Sequence, residues 1–262
     1  MRKSRLLVLS IVNLIGFLGT IIVNGLANAL PINNKTTGAL SDQYPNLFVP
    51  AGLTFSIWGL IYLLLAIFVI YELIIAVRKD TQKTSFIENI GVLFFISCLA
   101  NIGWIFAWHY EILPLSLVLI LAILGSLIAI YLRLHIGKAD ITRIEKYLVH
   151  LPFSVYLGWI TIATIANVTA LLVDLNWNTF GLGEQFWAVV VIVVGIAIAL
   201  SILFLRRDIF YCLVVDWALL GILLKRLAVE TIPDQSVIVT TIFGMVLVSV
   251  GIIIQGVRRK IY

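Results

Sequence analysis

Trp58 and Tyr62 stand four residues apart near the start of an apolar run, Phe48 to Glu72, that a proline-bearing loop feeds. Residues at that spacing share one helix face. Two large amphipathic rings there can anchor a helix among lipid headgroups or wall a pocket for a flat apolar ligand. Two further sets have the same character. Asn101, Trp104 and Trp108 are spaced i, i+3, i+7, and Trp159, Ala163 and Asn167 are spaced i, i+4, i+8. Each set therefore lies along a single face. An amide inside lipid must find a hydrogen-bond partner, so both faces should turn into a bundle. Rings with a few amides suit a mostly apolar pocket of limited polar specificity. They equally suit interhelical hydrogen bonds and interfacial tryptophan belts.

Asp216 is the acidic residue deepest in an apolar run. A charge at the bilayer centre costs about 2.5–3.5 kcal/mol on insertion scales, so this carboxyl should be neutral, paired or facing a cavity. It reads either as a proton-linked site or as an acid hydrogen-bonded to a neighbouring helix, beside Trp217. Glu72 lies near the end of its run, where its carboxylate should reach the interface, and reads as structural. His109, His135 and His150 fall at helix ends, where solvated interfacial histidines are the expectation, and no metal-ligand spacing links them. No phosphate-cradling glycine loop, HExxH pair or Ser/His/Asp context is legible, so no catalytic or metal-binding residues are assigned.

These side chains need a scaffold, and the composition says which kind. The 262 residues are 62% hydrophobic and 12% charged, with a mean hydropathy of +1.12. A soluble domain is about half apolar and about a quarter charged, so this is an integral membrane protein. The net charge of +5 resides in short basic clusters between apolar runs. Those clusters read as topology signals and not as a nucleic-acid surface. Cys98 and Cys212 both sit inside apolar runs, as buried thiols do, and form no disulfide framework.

Apolar stretches of about 17–25 residues predict eight spans near Leu6–Leu30, Leu53–Val77, Ile90–Trp108, Leu115–Ile136, Leu151–Val173, Trp187–Leu205, Ile209–Leu224 and Val237–Val257. The first begins after Arg2, Lys3 and Arg5 and contains a signal-peptidase-like Ala27-Asn28-Ala29, but its length favours a retained helix. All spans must be helical, because lipid offers the backbone no partner. Alternate connections hold all but three of the 18 basic residues; Lys35, Lys225 and Arg226 are the exceptions. That asymmetry places both termini in the cytoplasm, and the cell membrane is the expected location. Pro31 to Gly52 is a turn-rich loop that reads as either lid or connector, whereas Asp174 to Phe186 reads as a connector. Gly16, Thr20, Asn24 and Asn28 line one ridge of the first span, within the chain or between two copies. Gly195 and Ala199, and Thr240 and Gly244, repeat the small-residue pattern of packing seams.

Three segments resemble the TspO/MBR family, the tryptophan-rich sensory proteins that include the mitochondrial translocator protein. Thr54-Phe55-Ser56-Ile57-Trp58-Gly59-Leu60-Ile61-Tyr62 is similar to the family's F-G-x-x-W-x-x-L-Y. Leu99-Ala100-Asn101-Ile102-Gly103-Trp104 is similar to its L-N-x-x-W stretch. Pro152-Phe153, Trp159, Ala163-Thr164 and Asn167 follow P-Y-x-x-W-x-x-(F)-A-T-x-x-N. The resemblance covers residues 1–173 as a five-helix transmembrane bundle and leaves 174–262 as a three-helix transmembrane extension. The expected fold is thus an all-α polytopic membrane bundle of about eight helices, the first five TspO-like. The resemblance implies a ligand site at Trp58, Tyr62, Asn101, Trp104, Trp159 and Asn167, taking a planar hydrophobic ligand such as a porphyrin or haem-like tetrapyrrole. It also implies a sensory or transport role, and it allows a homodimer. Two departures stand out. Tyr44-Pro45-Asn46-Leu47-Phe48-Val49-Pro50 lacks the tryptophans of the family's first loop. The VTALLVD after Asn167 lacks the Tyr and basic residue of a sterol pattern. The alternatives are a proton-coupled secondary transporter using Asp216 and a membrane-embedded tetrapyrrole-modifying enzyme.

Overall fold

The computed structural model describes residues 2–30, 32–78, 84–228 and 234–258, and their regular structure is helical. The basic residues Lys79, Lys83, Arg259 and Lys260, and the side chains of Arg2, Lys3 and Asn28, lie outside the described part. All eight predicted spans have a helix. These are α1 (Arg2–Ala29), α3 (Ile57–Arg78), α5 (Leu93–His109), α6 (Leu113–Arg133), α8 (Leu151–Asp174), α9 (Glu184–Arg206), α10 (Ile209–Leu227) and α11 (Gln235–Val257). Short helices α2 (Thr37–Asp42), α4 (Ser85–Ile90) and α7 (Arg143–Glu145) lie between them. Among the described residues six helical stretches are long and apolar enough to cross a membrane; α5, with 17 residues, is a shorter apolar helix. The remaining helix, α10, carries Asp216, Lys225 and Arg226 in its 19 residues.

Local chemistry sets the ends. Gly91 has φ +54°, which stops α4 and starts α5 later than the apolar run suggests. His135 takes φ 51° and ends the α6 run before Ile136. Pro152 has no N–H for the carbonyl four residues back, and the wider π turn at Lys146–His150 sits just before it. Asp208 caps α10, its carboxylate accepting from Phe210 N (3.1 Å) and Tyr211 N (3.2 Å).

The chain divides into two compact units: Met1–Thr36 with Trp58–Leu157, and Thr37–Ile57 with Gly158–Tyr262. This partition is not the sequence division at 173/174. It takes α2, the segment up to Ile57 and most of α8 together with the last three helices.

In the first unit α1 lies along α5 through the ridge of small residues. A Cβ on Gly16 would meet Phe95 Cδ2 at 2.7 Å, and one on Gly19 would meet Ile102 Cδ1 at 3.2 Å. Thr20 Oγ1 donates to Gly16 O (3.0 Å) and reaches Cys98 O at 3.4 Å. Asn24 Nδ2 donates to Asn101 Oδ1 at 2.7 Å. The seam is thus within the chain. Below it Phe68, Phe94 and Phe153 pack edge to face, with centroids 4.9–5.8 Å apart and all three buried. Lipid tails are as apolar as these rings, so close packing, more than hydrophobic transfer, is what they contribute. The outer face of α1 exposes Val8, Ile11, Ile15, Leu18, Ile22 and Leu26, while its inner face buries Ser10, Asn13, Thr20 and Asn24. Apolar outside and polar inside is the arrangement lipid imposes.

In the second unit α9, α10 and α11 pack through Gly195, Ala199, Gly244 and Gly251, whose neighbours include Ile162, Ile196 and Leu203. The segment from Thr37 is no free lid. Ala51 N donates to Gly221 O (2.9 Å), Trp217 Nε1 donates to Thr54 O (2.9 Å), and Lys225 pairs with Asp42. Residues 177–187 fold into a cluster of Trp177, Phe180, Phe186 and Trp187, held by Trp187 Nε1 donating to Thr179 O at 2.8 Å.

Candidate functional site

Trp58 opens α3, immediately after the 3-10 turn Gly52–Ser56, and Tyr62 follows one turn later. Their rings stack at 5.4 Å and 20°, and both residues are partly exposed. Trp58 also meets Trp104 of α5 (6.4 Å, 34°) and stands at 66° to Tyr156 of α8 (6.1 Å). Trp104 in turn stacks on Trp108 at 5.7 Å and 15°. Three separate helices of the first unit therefore deliver one continuous aromatic array. Trp104 and Trp108 are 6% and 5% exposed, so they are interior residues and not members of an interfacial belt.

The polar groups in this array divide into satisfied and unsatisfied. Asn101, fully buried, accepts from Asn24 and donates to Tyr156 Oη at 3.3 Å. The Tyr62 hydroxyl lies beside the same amide but is buried without a hydrogen-bond partner among the described residues. The expected polar contact to a ligand is thus engaged in tying α1, α5 and α8 together. The Trp104 indole N–H is buried and has no acceptor among the described residues. Asn101→Ala is expected to lower stability in detergent by about 1 kcal/mol, the scale of an interhelical polar bond in a membrane. Thermal unfolding of the purified protein measures it.

Trp159 and Asn167 belong to the second unit. Each is 2% exposed, and Trp159 meets Phe55 edge-on at 5.9 Å and 85°. The first unit thus holds Trp58, Tyr62, Asn101 and Trp104 in one place. Sequence reasoning passed over two members of these clusters. Tyr156 could have been found as a phenol inside an apolar run that needs a partner for its hydroxyl. Phe55 gave no such signal, since a phenylalanine has no polar group that demands a partner.

Asp216 of α10 is partly exposed, and Ser249 Oγ of α11 donates to its Oδ2 at 3.0 Å. Its neighbour Trp217 turns the other way, to Thr54. Glu72 corrects the sequence reading. It does not reach an interface: it is completely buried, with Asn13 Nδ2 donating to Oε1 at 3.0 Å. His109 and His150 are also buried and not solvated, at 0% and 2% exposure. The His109 Nδ1 hydrogen-bonds Ile105 O at 2.8 Å. Among the described residues no group of three or more His, Cys, Asp or Glu could hold a metal ion.

Helices that are apolar outside, polar inside and long enough to span define a multi-pass integral membrane protein of the helical-bundle class. The family model for TSPO-like proteins matches residues 10–254. The chain belongs to that family, and the match runs through α9, α10 and most of α11 as well as the first five spans. Comparison with curated proteins and with solved structures gives no match.

Proposed function

We propose that this TSPO-like protein binds a planar, largely apolar ligand of porphyrin type on the aromatic array of its first unit, in a sensory or transport role. The observation that carries the reading is the Trp104 indole N–H, buried without an acceptor among the described residues, on a ring that meets Trp58 of the partly open Trp58–Tyr62 stack. A buried donor left unmade is costly, and a ligand carrying an acceptor at its edge relieves it. Stacking on the open ring pair supplies the apolar area, and one fixed donor supplies orientation. Asn101 is spent on interhelical hydrogen bonds and makes no ligand contact in this reading.

The test is a fluorescence-quenching titration of the detergent-purified protein with protoporphyrin. Trp104→Phe keeps a ring and removes the donor, so affinity should fall about 3–10-fold, the worth of one net hydrogen bond. Unchanged affinity would remove Trp104 from the site. By the same titration Asn101→Ala should leave affinity close to that of the parent protein.

A further inference from the structure

Glu72 and Asn13 form a second polar centre in the first unit, separate from the aromatic array and independent of the ligand reading. Both residues are 0% exposed, one on α3 and the other on α1. Asn13 uses its amino group twice, donating to Glu72 Oε1 at 3.0 Å and to Gly91 O at 3.3 Å. What is left over is specific: Glu72 Oε2 and Asn13 Oδ1, both buried, both without a hydrogen-bond partner among the described residues. If Glu72 were ionised, both would be acceptors with no donor between them, and a bare carboxylate would sit in an apolar bundle. A carboxylic acid has what is missing. An acid and a carboxamide pair reciprocally, the amide N–H to the acid carbonyl oxygen and the acid O–H to the amide oxygen.

We infer that Glu72 and Asn13 form a buried proton-binding site, with Glu72 held as the neutral acid and its proton directed to the Asn13 carboxamide. No other described group neutralises this carboxyl. Arg5 on α1, Arg78 on α3, Glu88 on α4, Cys98 on α5, Arg133 on α6 and His150 before α8 form no hydrogen bond or ion pair with it. A metal cation in the proton's place is disfavoured by the amide orientation. The Asn13 amino group donates to both Glu72 Oε1 and the Gly91 carbonyl, and an N–H donor stands where a hard cation would require an oxygen. The proton held in this polar centre is therefore assigned to Glu72, at the meeting of α1, α3 and the α4–α5 turn. Asp216 also keeps one buried oxygen, Oδ1, without a partner among the described residues, but a hydroxyl donates to its other oxygen and the residue is partly exposed.

Infrared spectroscopy of the full-length protein in lipid nanodiscs at neutral pH tests this. The protein should show a carboxylic-acid C=O band that disappears in Glu72→Gln and persists in Asp216→Asn. Should Glu72→Gln fail to fold, the unmutated protein carrying carboxyl-13C glutamate answers the same question. Glu72 is the one buried glutamate among the described residues, so the acid band must move with that label. A spectrum without an acid band, or one whose band ignores both the glutamate label and Glu72→Gln, overturns the inference. So does a Glu72 signal found only as carboxylate, with or without added sodium.

Discussion

Trp58→Ala should weaken protoporphyrin binding by about 30-fold or more, the loss expected when a central aromatic anchor is truncated. Trp58 is the hub of the array, touching Tyr62, Trp104 and Tyr156. Its removal leaves Tyr62 without its stacked partner and takes away half of the open ring pair. The ring lies partly exposed and is no part of the Phe68–Phe94–Phe153 packing, so the folded bundle should persist. Quenching titrations compared with thermal unfolding of the same preparation separate the two effects. Loss of binding with a nearly unchanged melting temperature is the expected pattern. Equal affinity in the variant would mean that this ring pair faces lipid.

Gly221→Ala should be strongly destabilising, by about 1–3 kcal/mol net of helix propensity. A Cβ at that position would lie 1.9 Å from Thr54 Oγ1 and 2.8 Å from Thr54 Cβ. Thr54 is 2% exposed and β-branched, and its own carbonyl accepts from Trp217, so it has little room to retreat. The neighbouring bond from Ala51 N to Gly221 O shows how closely the two backbones approach. Gly125→Ala is the control. Nothing lies within 4 Å of its Cβ, so that substitution should stabilise α6 by about 0.5–1 kcal/mol. Paired melting curves in detergent check both signs.

The helices were legible because lipid leaves the chain no other choice, and apolar run lengths locate them. Their ends were less so. Gly91 and His135 adopt positive φ and stop helices inside apolar sequence, where composition carries no signal. Asn101 shows the same divide at the site. That a buried amide needs a partner follows from chemistry, but Asn24 is 77 positions away and only folding brings it near. Glu72 was misplaced for a physical reason. Its distance from the end of an apolar run is a linear measure, and burial depends on which face of α3 meets α1. The small-residue ridge on α1 was read correctly as a packing seam, since Gly16 and Thr20 allow a close approach that larger residues forbid.

The most direct measurement is a protoporphyrin titration of the unmutated protein in detergent, followed by tryptophan fluorescence and by porphyrin absorbance together. Saturation at one ligand per chain, with an absorbance change tracking the quenching, is the predicted result. Quenching that rises without limit as porphyrin partitions into micelles, with no saturating absorbance change, would contradict a binding site on these rings.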